Sequence, residues 1–461
     1  MNWTKSKIYI LSALLAAVSG MSSCKKYLDA SPNKQLTVPA VEQDLRAILD
    51  NNNAMNTAYS AYGAFASDEY YVSDKNYQSL TDIPAKDYYV WGLNGEPTDK
   101  YNDWSTSYSR IFSVNVVLDN ITSVKLNGAS QQDLNAVKGE ALFYRAYSHF
   151  QLSQIYALPY NPASASTTLG IPLRLTSDIN EKITRPSLRE DFGSIITDMK
   201  QAVSLLPDIS LTKLRPNRPA AYAALANVYL VMQDFKDAQL MADSALNIND
   251  SLIDYNTVSA SQTAPFPLFN KEVLWQADVA YSSILATSRA KTSNDLYERY
   301  TTNDLRKNLY FNNSNGVITY KGHYNGQWQG SSVYFGGLTV DEVYLIKAEA
   351  EAREGDVLTA MNVLNTLAKN RFVKDGFIPF SAPDKDSAIH IIMDMREKEL
   401  CFRGMSRWTD IRRFNQISGE EVTINRQLLG QPYQLNPGDD HYAFLIPQEV
   451  IDNSDIQQNT R

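Results

Sequence analysis

The stretch Pro219–Leu246 constrains the fold of this 461-residue chain more than any other. Ala221, Leu225, Val228 and Tyr229 recur at helical spacing, Gln233-Asp234 interrupts, and Ala238, Met241, Ala242 and Ala245 form a second apolar face. Small side chains on both faces let two helices approach closely, so the sequence predicts a short helical hairpin. Such a hairpin cannot bury its apolar face alone, and further helical pairs must stack on it.

Tyr, Leu, Ala and Tyr on the first helix, then Phe235 and spaced alanines on the second, resemble the tetratricopeptide pattern, whose unit is about 34 residues. A second hairpin of this kind is visible after Thr339: Val343, Ile346 and Ala350 precede Gly355-Asp356, and Leu358, Met361, Leu364 and Leu367 follow. Other helices are predicted from Thr37 through Val41, Leu45, Ile48 and Leu49, from Tyr108 to Leu118, and from the capping boxes Ser130-x-x-Asp133 and Ser187-x-x-Glu190. Between the hairpins, residues 250–338 are rich in Pro, Asn, Gly and aromatics, with short β-prone runs at Glu272–Trp275 and Gly316–Tyr320. The expected fold class is therefore mainly α, a discontinuous tetratricopeptide-like helical scaffold with loop-rich insertions and a few short strands.

At the N-terminus, Lys5 and Lys7 precede an apolar run from Ile8 to Val18 that is too short to span a membrane comfortably. Met21-Ser22-Ser23-Cys24 resembles a bacterial lipoprotein cleavage box, in which cleavage precedes a cysteine that is then acylated. Residues 1–23 are thus expected to be a signal peptide, Cys24 the lipidation site and 24–36 a tether. Residues 37–461 would form one domain with loop-rich insertions at about 60–104 and 250–338. Several acyl chains on Cys24 would hold the protein at a membrane surface. The remaining cysteine, Cys401, then has no partner for an internal disulfide.

Charge and motif content exclude several functions. With 43 basic against 51 acidic residues and no basic cluster, nucleic acid is not an expected partner. His149, His323, His390 and His441 lie far apart without a metal-binding pair, and are expected to be satisfied or solvent-facing. No phosphate-cradling glycine loop occurs. Neither a metal nor a cofactor is expected, and the acids are too numerous to nominate a glycosidase dyad.

Binding is the better prospect. Eight aromatics fall within the 35 residues Tyr70–Trp104, about double the chain average of 11%, without helical or alternating period. Flat aromatic faces pack on the C–H faces of sugar rings, while hydroxyls need polar partners, and both are interleaved here. Tyr70, Tyr71, Tyr88, Tyr89 and Trp91 are candidate platforms, with Asp68, Asp74 and Asn76 as polar partners; packing of the loop itself is the competing account of each ring. Trp104 is assigned to the core. Tyr281 and the glycine-rich segment containing Tyr324 and Trp328 are further candidates, against a plain surface turn. The arginines Arg403, Arg407, Arg412 and Arg413 read as structural, with Glu399 four residues before Arg403 as its expected partner.

The stretch Met395–Arg413, containing Glu399-Leu400, Arg407-Trp408 and Asp410-Ile411-Arg412-Arg413, is similar to the signature of the SusD/RagB nutrient-binding outer-membrane lipoproteins. Trp104, Tyr108, Ile111 and Asn115, the turn Gly170-Ile171-Pro172-Leu173, Glu342–Ala350 and Phe444-Leu445-Ile446-Pro447 resemble other parts of that family along nearly the whole mature length. Arg396-Glu397 stands where the family shows Glu-Arg, and Arg403 precedes Gly404 where Glu is common. The resemblance implies four tetratricopeptide-like pairs packed against a loop-rich ligand-facing half, an outer-membrane location facing outside, an oligosaccharide ligand, a TonB-dependent SusC-like transporter as partner and no enzymatic activity. A peptide ligand, or an envelope scaffold without small ligand, are the alternatives it leaves.

Overall fold

The computed structural model describes residues 38–92, 103–327 and 332–461. Cys24 and Trp328 therefore lie outside the described residues, as does Thr37, and the described chain begins with helix α1 (Glu42–Leu49), whose Asp44 side chain accepts the N–H groups of Ala40 and Val41.

The scaffold follows the apolar periodicity of the sequence. α2 (Asp103–Asn120), α3 (Gln131–Tyr156) and α4 (Leu188–Leu205) pack in succession, the last two opened by the Ser130 and Ser187 capping boxes. The hairpin read from Pro219–Leu246 is α5 (Arg218–Val231) and α6 (Phe235–Ile248), with Gln233 at φ +63° in the turn. Ala221, Ala224, Ala226, Ala238 and Ala242 are fully or almost fully buried between neighbours. α7 (Val340–Glu354) packs on α6 across an insertion of nearly ninety residues and pairs with α8 (Val357–Ala368). Gly355, at φ +99°, ends α7 in the left-handed region that favours glycine. α9 (Lys385–Glu399) lies on α7, and α10 (Ser406–Phe414) carries the Arg-Trp signature. Among the described residues no helix is long and apolar enough to cross a membrane.

Among the described residues the strands form four two-stranded antiparallel ribbons: β1 (Tyr70–Tyr71) with β3 (Lys291–Thr292), β2 (Val273–Trp275) with β6 (Leu338–Thr339), β4 (Phe311–Ser314) with β5 (Val317–Tyr320), and, beyond α10, β7 (Ile424–Leu428) with β8 (Gln431–Leu435). The segment 70–104, read as aperiodic, contains two short helices, Asp74–Gln78 and Ile83–Tyr89, whose first turns are capped by Ser73 and Asp82.

Where scaffold meets loops, a fully buried ionic network replaces the pairing expected of Glu399. α9 ends at Glu399, so Arg403 is not on the same helical face. Glu399 instead accepts from Arg371 Nε at 2.6 Å and Arg306 Nη1 at 2.9 Å, Arg371 reaches Glu272 at 2.9 Å, and Arg403 pairs with Asp341 at 3.1 Å. Arg413 bridges Glu349 and Asp410, and Arg412 donates to the carbonyls of Ala157 and Tyr442. The arginine group is thus structural: Arg403 and Arg413 pair with buried carboxylates and Arg412 with backbone carbonyls inside the fold.

His323 departs from expectation. It is buried beside Tyr320 and Tyr334 with neither ring nitrogen hydrogen-bonded among the described residues, and burial pushes its pKa down to about 3, so the ring is neutral. The glycine-rich loop 322–327 does not stand out as a surface turn. Its Gly322 lets the backbone lie on the Tyr310 ring, and Tyr324 is completely enclosed.

Candidate functional site

β1 separates the two tyrosines that open the aromatic segment. Pairing Tyr70 with Thr292 and Tyr71 with Lys291 sends alternate side chains to opposite faces, so Tyr70 is buried and Tyr71 is 45% exposed. Beyond β1 lies a cleft of about 360 Å³ whose walls include Asp68, Tyr70, Tyr71 and Tyr89 from the predicted set. Ser293, Asn294 and Asp295 close it after β3, and Asn425, Arg426 and Gln427 close it from β7.

The floor is rigid. The Arg426 guanidinium sits 3.7 Å from the Tyr89 ring centroid and donates to the carbonyls of Phe65 and Ser67, while the Tyr89 hydroxyl accepts the N–H of Val72. Asp68 forms a two-pronged ion pair with Arg407, both distances 2.7 Å. Burial works against the Asp68 charge, but the Arg407 guanidinium holds the carboxyl below its ordinary pKa. Asp68 is therefore committed to holding α10, leaving Tyr71 as the exposed ring and Asn294, Asp295, Asn425 and Gln427 as the exposed polar groups.

Glu69, next to the cleft, is buried, and burial pushes its pKa up to about 8 despite the Phe402 N–H it accepts at 2.7 Å. Because the folded pKa lies above the unfolded value, its contribution to stability is complete at acid pH. It is lost as pH rises from the unfolded value through about 8. A Glu69→Gln variant should lose less stability than the parent between pH 5 and 8, read as urea midpoints at each pH. Parallel profiles for the two proteins would refute the assignment.

The other predicted residues fall elsewhere. Tyr88 stacks on Phe444 with centroids 4.2 Å apart, and Trp91 is fully buried with its indole N–H on the Ala66 carbonyl, so both are core rings rather than platforms. Tyr324 is also a core ring, its hydroxyl donating to Glu272 at 2.6 Å beneath the Arg403 guanidinium. The physical reason is shared: a loop without regular backbone pairing needs its large rings for internal packing, and Tyr and Trp hide their area while a polar tip finds a partner. Asp74 accepts the Leu429 N–H at the β7–β8 turn, and Asn76 reaches the Ser288 carbonyl, so both tie loops together. Tyr281 is 71% exposed beside the Asp82 cap but does not line the cleft.

Sequence reasoning missed the β7 wall, although Ile424-Asn425-Arg426-Gln427-Leu428 alternates in the period of a half-buried strand and its burial follows that period. It also missed a larger groove of about 520 Å³ between the first half of α2, the segment 172–183 and the short helix Gln448–Asp452. Trp104, Tyr108 and Phe112 lie along it at i, i+4 and i+8, a ladder on one helix face that was readable as such.

Comparison with known proteins agrees with this architecture. Residues 26–230 match a SusD-like family described as starch-binding and associating with the outer membrane, and residues 269–459 match the SusD family. The chain is 24% identical to the SusD-like protein P2 of Formosa agariphila over 417 residues, covering 77% of this chain and 79% of that protein. A SusD superfamily protein of Bacteroides thetaiotaomicron superposes with a TM-score of 0.74 at 21% identity, covering 92% of this chain and all of the other. A SusD-like carbohydrate binding protein of Bacteroides vulgatus superposes with a TM-score of 0.68 at 18% identity, covering 90% and 97%. Matched in both its helical first half and its signature-bearing second half, the chain belongs to the SusD family.

Proposed function

We propose that this protein is a lipid-anchored outer-membrane protein that binds an oligosaccharide in the β1–β7 cleft and passes it to a TonB-dependent SusC-like transporter. The observation that carries the ligand class is Tyr71: one exposed ring bordered by the exposed amides Asn294, Asn425 and Gln427 and the carboxylate of Asp295. A pyranose can lay its C–H face on the tyrosine while amides and carboxylate take its hydroxyls. Family membership supports the reading, as does the carbohydrate binding named for the Bacteroides vulgatus relative. The same kinship supports the transport partner and the surface location, with Cys24 proposed as the acylated residue. In this reading the groups lining the cleft serve binding, with Asp68 held by Arg407.

The test is calorimetric titration of the folded protein with a panel of neutral and acidic oligosaccharides, against Tyr71→Ala. Loss of the platform should weaken the best ligand about tenfold, the magnitude of a lost ring–ring contact plus its buried area. Since Tyr71 is 45% exposed, the variant should keep the parental melting temperature. Equal affinities across the panel would remove the cleft as the binding site.

A further inference from the structure

The two most exposed large apolar side chains among the described residues, Leu211 at 86% and Ile209 at 85%, stand two positions apart on the loop between α4 and α5. Apolar side chains scattered singly over a surface are ordinary, whereas a cluster of them marks a contact surface.

The loop is fixed at its base. The Arg218 N–H donates to the Pro207 carbonyl and the Gln276 N–H to the Lys213 carbonyl, each at 2.8 Å. The Leu214 carbonyl accepts from the Asn56 amide, the Tyr144 hydroxyl and the Trp275 indole. Lys213 Nζ reaches the Asn270 carbonyl at 2.6 Å and so ties the loop to a segment whose Leu268 and Phe269 are also exposed. Held in this way, the loop keeps Ile209 and Leu211 in solvent.

Both segments are cationic in a chain of net charge -8. Residues 207–218 and 267–272 carry Lys213, Arg215, Arg218 and Lys271 against Asp208 and the buried Glu272, which Arg371 neutralises. Asp208 pairs with Arg218, and Asp50 pairs with Arg215. The half-buried Lys213 and the exposed Lys271 form no ion pair among the described residues.

Position selects what the loop meets. α1 has eight residues and is about 12 Å long, and its C-cap Asp50 takes both prongs of Arg215. The loop is therefore held one short helix away from Val38, where the described chain begins. From Cys24 to Val38 the chain can span at most about 50 Å, so an acylated Cys24 keeps this side of the body within reach of the bilayer.

We infer that the loop carrying Ile209 and Leu211 is a membrane-contact element. Its two apolar side chains enter the headgroup region of an anionic bilayer while Lys213 and Lys271 face the lipid phosphates. This role rests on the proposed acylation of Cys24 and is independent of the ligand taken in the β1–β7 cleft.

The test uses the protein purified from its membrane and placed on vesicles of equal parts phosphatidylcholine and phosphatidylglycerol. Flotation with the vesicles, lost in Cys24→Ser, reads the anchor. The loop is read separately by an NBD fluorophore attached through Ser210→Cys, since Cys401 is buried and does not compete for the label. NBD emission should shift to the blue on these vesicles, and the shift should shrink as salt is raised. Ile209→Ser combined with Leu211→Ser should abolish it, and because both side chains are exposed the doubly substituted protein should keep the parental melting temperature. A floating protein whose label does not shift, a shift indifferent to the two serines, or an equal shift on phosphatidylcholine alone would overturn the membrane contact. A label that shifts in native membranes but not on vesicles would assign the loop to a protein partner instead. Failure to float would refute acylation at Cys24, and with it the reason for this loop to meet a bilayer.

Discussion

Arg371→Met is expected to destabilise the protein by about 3–5 kcal/mol, because it leaves buried carboxylates without their cation. Arg371 has no exposed side-chain surface and joins Glu399 at 2.6 Å to Glu272 at 2.9 Å, with a further bond to the Ile253 carbonyl. Burial already raises the Glu272 pKa to about 7 with the arginine in place. Without it, Glu272 must take a proton or remain an uncompensated charge. The loss should therefore be larger at pH 8 than at pH 5, where the carboxyl is readily protonated. Urea midpoints at the two pH values would measure it. Arg218→Met, which removes a half-exposed partner of Asp208, should stay within about 1 kcal/mol of the parent. If the Arg371 variant shifted no more than the Arg218 variant, the buried network would not be holding insertion and scaffold together.

Gly337→Ala is expected to cost about 3 kcal/mol, near the upper end for overpacking. A Cβ at Gly337 would stand 2.1 Å from the Trp275 carbonyl oxygen and 2.9 Å from the Ala277 nitrogen, both backbone atoms, so no side-chain rotation relieves the clash. The β2–β6 ribbon shifts register at this point, and Trp275 is surrounded by Tyr59, Phe143, Tyr144 and Tyr147. Moving that ribbon would disturb the aromatic cluster that joins the insertion to α3, with loss of near-ultraviolet circular dichroism and a lower urea midpoint. Gly193→Ala is the internal control. Gly193 is exposed within α4 with open space at its Cβ position, and alanine there should stabilise by about 0.5–1 kcal/mol. Equal behaviour of the two variants would refute the close-approach argument.

The candidate site was less legible than the scaffold. Composition marked 70–104 as the segment where aromatics concentrate, and four predicted residues, Asp68, Tyr70, Tyr71 and Tyr89, do share one cleft. Which ring faces solvent was not readable, since Tyr70 and Tyr71 are chemically identical and differ only in their side of a two-residue strand. The polar groups of the cleft come from the segment after β3, Asn294 and Asp295, and from β7, Asn425 and Gln427, both far along the chain from Tyr71, and no local pattern announces that encounter. Trp91 and Tyr324 read as exposed rings from the loop-like composition around them, yet Tyr89 and Val90 beside the first and His323 and Asn325 beside the second are buried along with the rings. The ladder Trp104, Tyr108 and Phe112 was visible, but a helical stripe of aromatics reads first as core; only the gap left between α2 and the C-terminal helix makes it a groove.

Helix-by-helix, the sequence by itself determined the scaffold: apolar spacing, small residues at the close approach of α5 and α6, and the caps Ser130, Ser187 and Gly355 are local signals acting within a few turns. Tertiary structure decided the partners. Glu399 could not be matched to Arg371 and Arg306 from spacing, because a buried ion pair is selected by which oppositely charged groups share a dry interior, not by their distance along the chain. The same holds for the cleft, whose ligand-facing surface exists only where β1, β3 and β7 converge.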